Sequence, residues 1–71
     1  MRSFYSTMYR CMVARGLRFI DLAERTGFNP AYFAKLKNGQ MHDVTWSRAL
    51  AIIAALGMTP DEFYAEQLGD E

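Results

Sequence analysis

Few side chains in this sequence could do covalent or metal chemistry by themselves. His42 stands beside Asp43, and Cys11 is the single cysteine among 71 residues. One histidine next to one acid is too little for a metal site or for nucleophilic catalysis. A lone cysteine among apolar neighbours is typical of a buried thiol, with a redox or intersubunit role as the alternative. We therefore expect no enzymatic activity, no cofactor and no metal.

Basic side chains are distributed unevenly, and this bears on what the chain can bind. The formal net charge is zero. Residues 1–60 nevertheless hold all eight lysines and arginines with only three acids, whereas residues 61–71 hold five acids and no base. A basic body with an acidic tail can still attract phosphate at one face. A mixed-charge, solvated surface is the alternative.

Glycines, prolines and capping residues divide the chain into five segments of helical length. The predicted helices cover about residues 3–15, 19–25, 30–38, 46–56 and 60–68. Apolar residues recur at helical spacing within them and predict the inward faces. In the fourth helix this inward stripe is Trp46, Leu50, Ile53 and Leu56.

The length and the 51% hydrophobic content indicate one all-α domain over residues 1–71. Its core is expected at about residues 8–66, with an acidic tail at 69–71. Because no apolar run could span a bilayer and no signal-peptide layout is present, we expect a cytoplasmic protein.

Residues 22–39 read as a short helix, a tight turn and a second short helix. Ala23 is small where two helices must cross closely, and Gly27 stands where the turn needs a positive φ. Phe28 can plug the space between the helices, and Asn29-Pro30 restarts the helix. Helices joined in this way cross steeply and leave the second one protruding. A protruding helix fits the major groove of B-DNA.

Taken in order, these elements resemble the lambda-repressor-like, xenobiotic-response-element (XRE) type of helix-turn-helix domain. The matching elements are Gly16-Leu17, Leu22-Ala23, Thr26-Gly27, Tyr32-Phe33-Ala34, Asn38-Gly39, Ala55-Leu56-Gly57 and Thr59-Pro60-Asp61-Glu62-Phe63. The resemblance covers about residues 8–66. It implies a compact five-helix domain that acts as a prokaryotic transcriptional regulator, usually a dimeric repressor, with the third helix in the major groove.

Site residues are carried over from this resemblance position by position. The implied base-reading residues are Pro30, Ala31, Ala34 and Lys35, of which lysine can donate to the acceptor edge of guanine. The candidates for contacting the DNA backbone are Arg18, Asn29, Tyr32, Lys37, His42 and Arg48. The expected dimer seam is the face of Phe63, Tyr64 and Leu68, with Phe4 and Tyr5 as a second choice. Simple packing of the fifth helix on its own core is the alternative.

The sequence departs from the family pattern at the start of the second helix. Phe19 stands where a phosphate-contacting glutamine is common, and Ile20 follows it. This apolar pair either packs on the first helix or the turn, or forms a contact patch for a protein partner.

Three functional hypotheses follow. The leading one is a sequence-specific, double-stranded DNA-binding regulator, an autoregulated homodimeric repressor that binds an operator. A close variant is the antitoxin of a toxin–antitoxin pair. The rival from another class is a protein-interaction module that kept the fold without DNA binding, which the zero net charge favours.

Overall fold

The computed structural model describes residues 2–39 and 44–69, and this part of the chain consists of helices and the turns between them. The five helices are α1 (Phe4–Ala14), α2 (Phe19–Thr26), α3 (Pro30–Lys37), α4 (Trp46–Ala55) and α5 (Pro60–Leu68). The expected all-α fold is confirmed, and each helix begins at or within one residue of its predicted start.

Short polar side chains open four of the helices by accepting backbone N–H groups that lack a partner in the first turn. The capping residues are Ser3, Asn29, Thr45 and Thr59. α5 has the most complete start, because the Glu62 carboxylate also accepts a hydrogen bond from the Thr59 N–H at 2.9 Å. α2 begins differently, since the arginine at its cap position has no acceptor. There the Asp21 carboxylate accepts the Arg18 N–H at 2.8 Å.

The core lies where α1, α2, α3 and α4 face one another, with α5 closing one side. Its fully buried apolar side chains are Met8, Leu22, Phe33, Ile52 and Leu56. α2 packs against α3 and α4, and α5 packs against α1 and α4. The Cα radius of gyration is 11.1 Å, close to the value of about 11 Å expected for a globular chain of this length.

Trp46 corrects the inward stripe predicted for α4. Its side chain is 72% exposed, whereas Ala49, Ile52 and Ile53 face the core. Of the predicted stripe, Ile53 and Leu56 are buried and Leu50 is half-buried, so the buried face is rotated away from Trp46. Trp46 is the first helical residue, and side chains on a helix lean toward its N-terminus. The indole at the start of the helix is therefore left exposed to solvent.

The beginning of the described chain is tied to the end of α5. The Arg2 N–H donates to the Gln67 carbonyl at 2.8 Å, and the Gln67 side-chain amide donates back to the Arg2 carbonyl at 3.1 Å. The Arg2 guanidinium also donates to the carbonyls of Glu66 and Gly69. These bonds occupy carbonyl groups that a helix C-terminus leaves unpaired.

The helices are short. Within the described ranges, no helix combines the length and the apolar character that a membrane crossing requires.

Candidate DNA-binding interface

The turn between α2 and α3 is held by local hydrogen bonds. Gly27 has φ 79° and ψ 8°, the left-handed conformation expected there, and its N–H donates to the Ala23 carbonyl at 2.8 Å. The Thr26 hydroxyl donates to the Leu22 carbonyl at 2.7 Å and accepts the Phe28 N–H at 3.2 Å. Because both its ends are bonded, the turn sets the direction in which α3 leaves α2.

α3 presents two distinct faces. Phe33 and Leu36 are buried and fix the helix to the core. Pro30, Ala31, Ala34 and Lys35, the four positions predicted to read bases, are all exposed. Positions 30, 31, 34 and 35 share one side of a helix because residues three and four apart are neighbours. The structure therefore brings the predicted base-reading set together on one solvent-facing surface.

The residues predicted to contact the DNA backbone differ in how accessible the structure leaves them. Arg18, Lys37 and Arg48 are exposed, and His42 lies outside the described residues. Asn29 is exposed, but its side-chain oxygen already accepts the Ala31 N–H at 2.9 Å as the cap of α3.

Tyr32 needs a correction, because its hydroxyl is buried and cannot reach a phosphate on the surface. The ring packs edge-on against Phe28 and Phe33, with centroid distances of 5.6 Å to each. The side chain thus belongs to the packing under the turn.

At the start of α2 a cation and an anion lie side by side. The Arg18 Nε is 3.5 Å from an Asp21 carboxylate oxygen, while the Arg18 side chain stays 79% exposed. The Arg18 backbone N–H that donates to Asp21, helped by the Arg18 charge, lowers the pKa of the Asp21 carboxyl. Asp21 therefore stays ionised near neutral pH and offsets part of the charge that Arg18 offers to a phosphate.

Phe19 lies in a chain of aromatic contacts behind the helix-turn-helix. Its ring centroid is 6.2 Å from those of Phe33 and Tyr9 and 6.4 Å from that of Tyr5. Phe19 therefore packs against α1 and α3, as one of the two sequence-based alternatives expected. Ile20 differs, since 51% of it is exposed.

Arg48 makes a contact that no sequence spacing indicates. Its guanidinium carbon lies 4.9 Å from the ring centroid of Tyr32 and 5.8 Å from that of Phe28. Cations are attracted to aromatic ring faces at such distances. The contact joins the first turn of α4 to the helix-turn-helix across 16 to 20 residues of sequence.

Arg25 also has a role that composition alone does not reveal. Its guanidinium donates to the Ala55 carbonyl at 2.8 Å, at the C-terminus of α4. A positive charge there also interacts favourably with the negative end of the helix dipole. Arg25 therefore ties α2 to α4.

The predicted dimer face on α5 is only partly available. Phe63 is 3% exposed, and its ring packs 5.1 Å from that of Phe4, so it belongs to the core of the monomer. Tyr64 and Leu68 are 53% and 51% exposed. Tyr64 also lines a shallow apolar groove with Trp46, Ile53 and Pro60. The exposed apolar surface thus extends from α5 toward the start of α4.

Cys11 is buried, as expected for a thiol with a packing role. Burial, together with the nearby Glu66 carboxylate, raises the pKa of this thiol. Among residues 2–39 and 44–69, no three histidine, cysteine, aspartate or glutamate side chains come together in a way that could hold a metal ion.

The family model of the Cro/C1-type helix-turn-helix (HTH) DNA-binding domain matches residues 8–65. The chain belongs to this family. The resemblance to XRE and lambda-repressor-like domains is thereby confirmed. Searches of curated proteins and of solved structures found no significant match.

Membership of the Cro/C1-type family supports DNA binding and transcription regulation as the role of the domain. Domains of this family are typically non-enzymatic. The matched residues include the whole helix-turn-helix, α4 and the first turns of α5.

Proposed function

We propose that this Cro/C1-type domain is a sequence-specific repressor that binds double-stranded DNA as a homodimer and controls its own gene. The observation that supports the proposal is the division of α3 into a buried face and an exposed one. Phe33 and Leu36 lock the helix to the core, which leaves Pro30, Ala31, Ala34 and Lys35 exposed on the other side.

Lys35 is the side chain of α3 best suited to read a base. Its ammonium group can donate to the O6 and N7 acceptors of guanine in the major groove. Ala31 and Pro30 lack side-chain donors, but they can pack against a thymine methyl group. Since direct contacts are few, sequence-dependent DNA shape supplies part of the specificity.

Arg18 and Lys37 supply contacts to the phosphate backbone in this proposal. Both are exposed. Phosphate contacts set affinity and register, and they carry little sequence information. Binding should therefore weaken steeply as salt is added, since each neutralised phosphate releases counterions.

Dimerisation through the surface of Tyr64, Leu68 and Trp46 would place two α3 helices on successive turns of DNA. The centres of two half-sites read in this way are about 34 Å apart. A single domain of this size reads only a short sequence, so a second copy supplies the affinity that a regulator needs.

A binding assay with DNA from upstream of the gene tests this function. Lys35→Ala should raise the Kd for that DNA about 10- to 100-fold, as expected for loss of one good base contact. On DNA of unrelated sequence the same variant should have a much smaller effect. Arg10→Ala, a control that removes an exposed arginine from α1, should change both affinities little.

Two results would contradict the proposal. One is binding that does not depend on salt concentration, which would exclude phosphate-driven association. The other is an unchanged preference for the upstream DNA in Lys35→Ala, which would exclude base reading by this face of α3.

A second candidate function rests on Ile20, an exposed apolar side chain in the first turn of α2. A surface isoleucine so close to the expected DNA contact suits a protein partner, such as the toxin that an antitoxin binds, or the partner of an interaction module that does not bind DNA. Ile20→Lys separates the two functions. Added positive charge should maintain or strengthen DNA binding, but it should abolish docking of an apolar partner surface.

A further inference from the structure

The guanidinium of Arg48 is supported by aromatic rings. Within residues 2–39 and 44–69, no carboxylate pairs with this side chain, and the Arg48 backbone N–H, not its guanidinium, donates to the Thr45 hydroxyl. Its guanidinium lies over Tyr32 and beside Phe28 instead. As far as the described part of the chain is concerned, the N–H donors of the side chain are therefore available for a ligand.

Both rings under Arg48 are held firmly. Phe28 and Tyr32 pack against each other and against Phe33, which is fully buried. The Tyr32 hydroxyl is enclosed, so the ring cannot swing out to solvent without opening the packing below the turn. A guanidinium resting on such rings is held near one position relative to α3.

We propose that Arg48 is a preorganised phosphate clamp, in which the rings of Phe28 and Tyr32 hold the guanidinium so that its N–H edge meets the DNA backbone bordering α3. The inference rests on the proposed DNA-binding function and assigns a positioning role to the two aromatic residues. Arginine suits this role because its planar group can stack through its face while its edge binds a phosphate through two N–H donors.

The physical gain is entropic. A long exposed side chain loses rotamer freedom when it binds, and this loss weakens binding by about 2- to 10-fold. Arg48 has lost part of that freedom before DNA arrives. Arg18 provides the contrast, because it is an exposed arginine for which the structure shows no aromatic support.

The test measures the Kd and its salt dependence for two duplexes, the upstream DNA and one of unrelated sequence. Arg48→Gln should weaken binding to both and should reduce the slope of log K against log salt by about 0.9, as expected for one lost phosphate contact. Arg48→Lys keeps the charge and loses the planar stack. It should keep the slope and raise the Kd about 3- to 10-fold.

The aromatic part of the clamp is tested with Tyr32→Leu and Tyr32→Phe. Tyr32→Phe keeps the ring and should bind like the parent domain. Tyr32→Leu should weaken binding about as much as Arg48→Lys, and the double variant should be no weaker than either single one, because both changes remove the same interaction. Arg10→Lys, the matched control at an exposed arginine of α1 that the proposal leaves out of the DNA contacts, should change the Kd less than 2-fold. Thermal unfolding of each variant verifies that it is folded at the assay temperature.

The outcomes distinguish a failure of the Arg48 clamp from a failure of the proposed DNA-binding function. Arg48→Gln binding like the parent would overturn the clamp, and so would Arg48→Lys binding like the parent while Arg48→Gln is weak, because charge alone would then be sufficient. Neither result would contradict the proposed DNA-binding function. If the unmodified domain itself shows no salt-dependent DNA binding, the proposed function fails and the clamp fails with it.

Discussion

At the scale of single residues, Tyr32 shows the limit of reading roles from residue types. A tyrosine on a candidate recognition helix predicts a phosphate contact. The folded chain buries the hydroxyl and uses the ring to support Arg48. That outcome depends on the first turn of α4 lying next to Phe28 and Tyr32, which local sequence does not encode. The four exposed positions of α3, by contrast, follow directly from helical periodicity.

Tyr32→Phe should stabilise the domain. The Tyr32 hydroxyl is buried and has no hydrogen-bond partner among the described residues. A buried polar group without a partner costs about 1–3 kcal/mol, so its removal should raise the free energy of unfolding by about 1 kcal/mol. Urea denaturation measures the change. A loss of stability would mean that the hydroxyl has a partner in the folded protein.

Asp21 should make the start of α2 sensitive to acid. Its pKa is lowered in the folded state, chiefly by the Arg18 N–H. The carboxylate therefore contributes stability above its unfolded pKa, and this contribution is lost as the pH falls through the folded value. Asp21→Asn should lower the Tm at neutral pH and reduce the decline of Tm between neutral and acidic pH. An equally steep decline in the variant would show that other carboxylates are responsible.

At the scale of elements, the helix boundaries were predictable because their signals are local. Thr59, Pro60 and Glu62 predict a helix start by themselves, and the structure shows each in its expected role. Differences at the C-terminal ends are small, since α2 runs one residue further and α1, α3 and α4 each end one residue earlier. The tie from Arg25 to the Ala55 carbonyl could not be predicted, because it depends on how two helices meet.

Gly27→Ala should destabilise the domain through the backbone alone. A Cβ atom at this position would meet nothing within 4 Å, so no clash is expected. The φ of 79° is nevertheless unfavourable for an L-residue and should cost about 1–2 kcal/mol. Gly69→Ala is a suitable control, since φ is −57° there and alanine adopts it freely. Equal effects of the two substitutions on the free energy of unfolding would contradict this explanation.

At the scale of the whole molecule, the side chains of α5 itself carry acids and no base, although the Arg2 guanidinium lies at its C-terminus. Asp61, Glu62 and Glu66 lie on α5, and every described lysine and arginine lies before it. The domain can therefore approach DNA with its helix-turn-helix while α5 stays away from the phosphates. This separation supports α5 as a protein-contact surface, although it also means that two α5 helices would repel each other.

Tyr64→Glu should dissociate the proposed homodimer and raise its dissociation constant at least 10-fold. A charge buried at an apolar seam loses its hydration without gaining a partner. Tyr9→Glu on the exposed face of α1 is the matched control. Sedimentation equilibrium should also show a dimer that tightens with added salt, because screening weakens the repulsion between acidic helices. The affinity for DNA should instead fall as salt is added. A monomer at all concentrations would exclude this seam.

The bonds between Arg2 and the end of α5 have a consequence for how the molecule opens. Chain ends usually fray independently, but here the first described residue and the last helical turn share hydrogen bonds in both directions. Detaching one end removes partners from the other, so the two should exchange their amide hydrogens as one cooperative unit. Shortening the chain at residue 2 should therefore speed exchange some sixty-five positions away, at Gln67 and its helical neighbours.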